Sequence, residues 1–117
     1  MKKIYHLSTC DTCRKIIKSL PSTDGFTLQN IKKEPLTEAE VDELKEKTGS
    51  YESLFSRKAT LYKERGLKDR QLTEDDYKKL IMEHYTFLSR PVIVMGDQVF
   101  VGNSPKTVQA AIEAMGK

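Results

Sequence analysis

The stretch that most constrains this chain is Arg90 to Gly102, RPVIVMGDQVFVG. Two runs, Val92–Met95 and Gln98–Val101, flank the pair Gly96-Asp97. A two-residue connection containing glycine between such runs signals a tight antiparallel hairpin, because glycine takes the backbone conformation that the turn needs. Directly after it comes NSPKTVQAAIEAMGK, in which Ser104 caps a helix and Pro105 takes its first position. The C-terminal end therefore reads β-β-α.

The N-terminal end reads β-α-β. KKIYHL is a short strand in which Ile4 and His6 alternate with Tyr5 and Leu7. CRKIIKSL is a helix with Ile16, Ile17 and Leu20 on one face. STCDT lies between them and offers Ser8, Thr9 and Asp11 as caps. DGFTLQNIKKEPLT gives a turn, a strand through Phe26–Ile31 and a break at Pro35.

The middle is helical. Thr37 and Glu40 form a capping box for EAEVDELKEKTG, where Val41, Leu44 and Lys45 share a face and Gly49 marks the stop. The charged run in that helix reads as a solvated face. SYESLFSRKATLYKERG predicts one or two short helices ending at Gly66. Thr73 opens EDDYKKLIMEHYTFL, a helix with an acidic first turn and Tyr77, Leu80, Ile81 and His84 on one side. There is no internal repeat, low-complexity tract or linker. The order predicts one α/β domain, residues 1–117. Its ends, about 1–34 and 89–117, form a thioredoxin-like β-α-β…β-β-α layer, and about 35–88 is an inserted helical subdomain.

Composition acts by exclusion. A chain with 38% hydrophobic residues fills a modest core without staples. A net charge of +3 is mildly basic and lacks the concentrated basic face of a nucleic-acid binder. MKKIYHLSTC has only a short apolar run, unlike a signal peptide, and no run approaches the ~20 residues of a membrane span. The expected compartment is the cytosol, where stable structural disulfides are uncommon.

That bears on YHLSTCDTCRK, which holds both cysteines, Cys10 and Cys13. A structural zinc usually takes four Cys or His ligands, and only His6 and His84 remain to supply the rest. A disulfide between the two would close a tiny loop and stabilise little. This leaves a reactive pair or two ordinary thiols at an element boundary. The local pattern favours reactivity. Cys10 falls at or just before a helix N-terminus, where unpaired N–H groups and the helix dipole stabilise a thiolate, and Arg14 and Lys15 add positive charge. Read from the residues alone, Arg57 is a solvated charge beside Lys58. His6 is either a packed core histidine or part of a site. His84 ends a helix, and Gly49 caps one.

Four segments, YHLSTCDTCRK, SRKATLYKERGL, LSRPVIV and VGNSPKTV, together resemble the ArsC/Spx family over essentially the whole chain. That family includes glutaredoxin-coupled arsenate reductases and Spx-type transcriptional regulators. The resemblance implies a thioredoxin-like fold with an inserted helical subdomain. It implies that Cys10 is the catalytic cysteine, that His6 lies near it, and that Arg57 and Arg90 hold an oxyanion. In thioredoxin-like folds a cis-proline faces the thiol centre, so Arg90-Pro91 is expected to be cis, with Arg90 beside Cys10. A third family arginine falls within VFVGNSP, where this chain offers Gly102, leaving Lys106 or Arg14 to substitute. Several forked guanidinium donors hold an oxyanion best, so this departure weakens the arsenate reading.

Cys13 tilts the resemblance another way. The glutaredoxin-coupled reductases lack a second cysteine there and rely on external glutathione, whereas Spx-like proteins use C-x-x-C as a redox switch. Gly49 stands where Spx carries a glycine that contacts the α chain of RNA polymerase, and the reductases carry a glycine there too. The resemblance thus implies a cytoplasmic thiol–disulfide redox protein with Cys10 as nucleophile and Cys13 as resolving thiol. It would hold no bound cofactor and no metal, and its partners would be glutathione, glutaredoxin or a small oxyanion. The alternative is a redox-switched regulator that binds the RNA polymerase alpha subunit.

Overall fold

The hairpin finds its partner in the N-terminal strand. The computed structural model describes residues 2–116, so the outermost positions of the expected 1–117 domain, Met1 and Lys117, lie outside the described residues. Strands β1 (Lys2–His6), β2 (Thr27–Asn30), β3 (Val92–Met95) and β4 (Gln98–Val101) form one sheet in the order β2-β1-β3-β4. β1 runs parallel to β2 and antiparallel to β3, with Ile4 opposite both Leu28 and Ile93. The parallel pair needs a crossover, which α1 (Asp11–Ser19) provides. The turn of the hairpin has Gly96 at φ +61, and no non-glycine residue among those described has positive φ. A turn left-handed only at its first central residue is of the II′ kind, which matches strand twist.

One side of the sheet buries Ile4 and Ile93 with Leu20 and Ala111, and Ile17, Phe26, Phe100 and Ile112 pack around them. Leu20 follows α1, and Ala111 belongs to α5 (Pro105–Met115). Tyr5, Val92 and Val94, which alternate with Ile4 and Ile93 along their strands, are equally buried. Burial on both faces explains why β3 reads as an unbroken apolar run. Each such side chain contributes about 1.5–3 kcal/mol. α5 starts as its sequence predicts: the Ser104 hydroxyl accepts the Thr107 N–H at 3.2 Å, with Pro105 next to it.

The chain divides into two units: residues up to Glu34 with those from Arg90 onward, and Pro35–Ser89. In the second unit α2 (Glu38–Thr48) begins with both arms of its capping box, at 3.0 and 3.1 Å. It ends at Gly49, whose φ of +97 and N–H bond to the Lys45 carbonyl close the helix. After a 3-10 turn at Glu52–Leu54 comes the short α3 (Thr60–Glu64), then Gly66 and a second 3-10 turn at Leu67–Asp69. The last helix of the unit, α4 (Glu74–Glu83), is shorter than its sequence pattern predicts. His84 turns extended, and its ring Nδ1 accepts the Thr86 N–H at 3.2 Å, which starts a new 3-10 turn at Tyr85–Phe87. The unit is centred on Phe55, whose ring lies 5.8, 4.9 and 5.4 Å from those of Tyr62, Tyr77 and Phe87.

Candidate functional site

β1 ends at His6, and a single turn joins it to α1. The Cys10 N–H donates to the Leu7 carbonyl at 3.0 Å, and the Cys10 carbonyl accepts the Arg14 N–H at 3.1 Å. The N-cap of α1 is therefore Cys10 itself, and not Ser8, Thr9 or Asp11. The neutral thiol is a poor acceptor and makes no capping hydrogen bond. Its ionised form is what the first-turn N–H groups favour.

Burial pushes the Cys10 thiol up. Against that act the backbone of Cys13, the Cys13 thiol, the positive charge of Arg90 and the backbone of Thr12, and the net result lies below the ordinary cysteine value. Cys13, one turn on, has no exposed surface. Burial dominates there and pushes its pKa to about 11, aided by the neighbouring Cys10 and opposed by the Leu7 backbone and Arg90. Both cysteines are free thiols. One fold thus makes two chemically unlike sulfurs within a single turn of helix.

Arg90 reaches this pair from the start of the hairpin. Its bond to Pro91 is cis, as the sequence predicts. The Pro91 carbonyl accepts the Gly102 N–H at 3.0 Å, so Gly102 lies beside the cis-proline. Gly102 has φ +95 with open space around an added Cβ. Any other residue there meets backbone strain rather than a clash. Arg14 forms an ion pair with Asp11, so its charge is matched locally. Lys106 is exposed in the first turn of α5. His6 is half-buried, and burial lowers its pKa, which favours the neutral imidazole.

Arg57 belongs to the helical unit. Its Nη2 donates to the Glu52 carboxylate at 2.6 Å and to the Tyr77 hydroxyl at 3.0 Å, and the guanidinium lies 5.8 Å from the Tyr77 ring. The Glu52 carboxylate is the main reason that its pKa is raised. The structure thus groups Cys10, Cys13 and Arg90, sets His6 at the end of the strand leading to them, and holds Arg57 in its own unit by Glu52 and Tyr77. Two residues escape a reading of the sequence. Glu52 stands five positions before Arg57 in a segment without helical period. Asn30 binds Ser8 across a separation of 22 residues.

Among the described residues no group of three or more His, Cys, Asp and Glu side chains comes together that could hold a metal ion. No helix among them is long and apolar enough to cross a membrane.

Residues 5–111 match the ArsC family. The fold is shared with solved structures, among them the following three. An ArsC family related protein from Bacteroides fragilis is 23% identical with a TM-score of 0.78, covering 93% of this chain and 95% of that one. An arsenate reductase from Vibrio cholerae is 28% identical with a TM-score of 0.72, again covering 93% and 95%. An arsenate reductase (ArsC) related protein from Brucella melitensis is 22% identical with a TM-score of 0.71, covering 93% and 92%. No curated protein matches the chain in sequence.

Proposed function

This chain belongs to the ArsC family, and we propose that it acts as a cytoplasmic thiol–disulfide redox protein with Cys10 as nucleophile and Cys13 as resolving thiol. The observation that carries this reading is the division of labour between the sulfurs: Cys10 lowered at a helix N-cap, Cys13 buried and raised to about 11. The thiolate is the attacking species in disulfide exchange, so only Cys10 is ready to begin. Its sulfur attacks one sulfur of a substrate disulfide and expels the other as a thiolate. While Cys10 is anionic, its charge helps keep Cys13 protonated. Once Cys10 is bound in a mixed disulfide that charge is gone, and Cys13 loses its proton more easily. The Cys13 sulfur then attacks Cys10 and releases the reduced substrate. The two electrons lost in the Cys10–Cys13 disulfide are returned by glutathione or glutaredoxin.

Arsenate is the oxyanion that the family suggests. In that reaction Cys10 displaces one arsenate oxygen, which leaves as water after protonation. A second thiol then attacks the sulfur, and the S–As electron pair stays on arsenic, which departs as arsenite. Arg90, whose charge already bears on both sulfurs, would hold the oxyanion. With Gly102 in place of a third arginine, one charge-assisted contact, about 1.5–3 kcal/mol, is missing. That corresponds to roughly tenfold to hundredfold weaker binding.

The test is a paired assay of disulfide exchange and of arsenate reduction with glutathione and glutaredoxin. The expected outcome is clear disulfide exchange with weak or absent arsenate turnover. Robust turnover at micromolar arsenate would overturn the weight given to Gly102. If only the oxidised protein retains the C-terminal domain of the RNA polymerase α chain, the protein belongs with the regulators instead.

A further inference from the structure

Cys10 owes part of its character to the backbone of Thr12 and Cys13 that it meets at the N-cap, so whatever fixes the turn Leu7–Cys10 helps to fix the thiolate. Within that turn Ser8 is held by a residue from another strand. Asn30 donates from Nδ2 to the Ser8 hydroxyl oxygen at 2.9 Å, and its Oδ1 lies 3.4 Å from the Ser8 nitrogen and 3.3 Å from the Lys32 nitrogen. Asn30 is itself well anchored. It is the last residue of β2, in register with His6, and the next N–H, from Ile31, bonds the His6 carbonyl at 2.9 Å. Its own carbonyl accepts from Lys33 at 3.1 Å and Glu34 at 2.8 Å. A side-chain amide offers donors and an acceptor at once, which suits a bridge to both the hydroxyl and the N–H of one residue.

We infer that Asn30 is a positioning residue for Cys10: it ties the Leu7–Cys10 turn to the end of β2 and so keeps the sulfur at the first-turn N–H groups of α1. This rests on the reading of Cys10 as the reactive thiolate. Asn30 touches neither sulfur in this role and acts through Ser8. Release of the turn lets Cys10 drift from the helix terminus, and its pKa returns toward that of an ordinary cysteine.

The experiment is alkylation of the reduced full-length protein across pH. Asn30→Ala should raise the Cys10 pKa and slow alkylation near neutral pH by roughly threefold to tenfold, as expected from the loss of one or two net hydrogen bonds. Ser8→Ala should shift the profile the same way by less, since the Ser8 N–H remains. Ser8→Thr keeps the hydroxyl and should restore the profile, and the double alanine variant should be no worse than Asn30→Ala alone. Should Asn30→Ala fail to fold, Ser8→Ala against Ser8→Thr tests the same bond from its other end. An alkylation profile in folded Asn30→Ala that superimposes on the wild type overturns the inference and leaves the function intact. An ordinary Cys10 titration in the wild type overturns both.

Discussion

In the helical unit, cations are fastened to carboxylates: Lys78 to Asp42 and Glu38, Lys47 to Glu43, Arg65 to Glu83 and Arg57 to Glu52. At the thiol end of the sheet unit, the charge of Arg90 bears on two sulfurs that titrate. The first arrangement holds a loosely helical segment in shape, with short elements and a small aromatic centre. Each exposed pair contributes only about 0–1 kcal/mol, so any one of them is dispensable. The second acts on a proton equilibrium, where a single nearby charge can change the reacting population severalfold. Charge in one unit is redundant scaffolding, and in the other it is a setting.

Four measurements break or sharpen that contrast. Cys10→Ser should abolish disulfide exchange while thermal unfolding stays near that of the wild type, because a half-exposed sulfur becomes an oxygen of similar size. Residual exchange carried by Cys13 would show that the buried thiol can initiate. Next, Arg90→Ala should raise the Cys10 pKa and slow its alkylation near neutral pH by roughly threefold to tenfold. Arg57→Ala should leave that profile in place, and equal shifts in both variants would erase the distinction between the units.

A third measurement uses pH and stability. Cys13 has a pKa of about 11 in the fold against an ordinary 9.0. The folded state therefore binds its proton more tightly than the unfolded chain does. The corresponding stability is complete below pH 9 and is lost as pH rises through 11, on the order of 3 kcal/mol in all. Denaturant unfolding of the reduced protein at several pH values should show a steeper decline over that window than Cys13→Ala does. Parallel slopes would mean that Cys13 is not held protonated. The smallest effect is expected for Glu52→Gln. Stability should change by less than about 1 kcal/mol. A larger loss in denaturant unfolding would show that the Arg57–Glu52 pair is more than redundant scaffolding.

Much of this architecture is legible in the sequence, because the relevant signals are local. Gly96-Asp97, the Thr37–Glu40 box, Ser104-Pro105 and Gly49 each act within four residues of themselves, and each element starts or stops where they stand. Helix α4 is shorter than its pattern because His84 is as compatible with a helix as with a stop. Only the bond from its ring to the Thr86 N–H decides between them. The edge of β2 differs for a related reason: Phe26 packs against the core that holds Leu20 and Ile93, and apolar character does not tell that apart from strand pairing. At the site, C-x-x-C after a strand points to Cys10 and Cys13, and the X-Pro pair points to Arg90. Glu52 and Asn30 act through tertiary contacts with no sequence period, and only the folded chain brings them to their partners.

The complete burial of Cys13 has a practical consequence. To a reagent in solution the folded, reduced chain is a one-thiol protein, and it becomes a two-thiol protein only when the first turn of α1 opens. The rate at which the second equivalent of label is taken up, once Cys10 has been blocked, is thus a clock for that opening. Where reclosing outpaces labelling, the ratio of the observed rate to that of an unfolded thiol gives the opening free energy directly. The chain carries its own probe of local unfolding at the place where its chemistry happens.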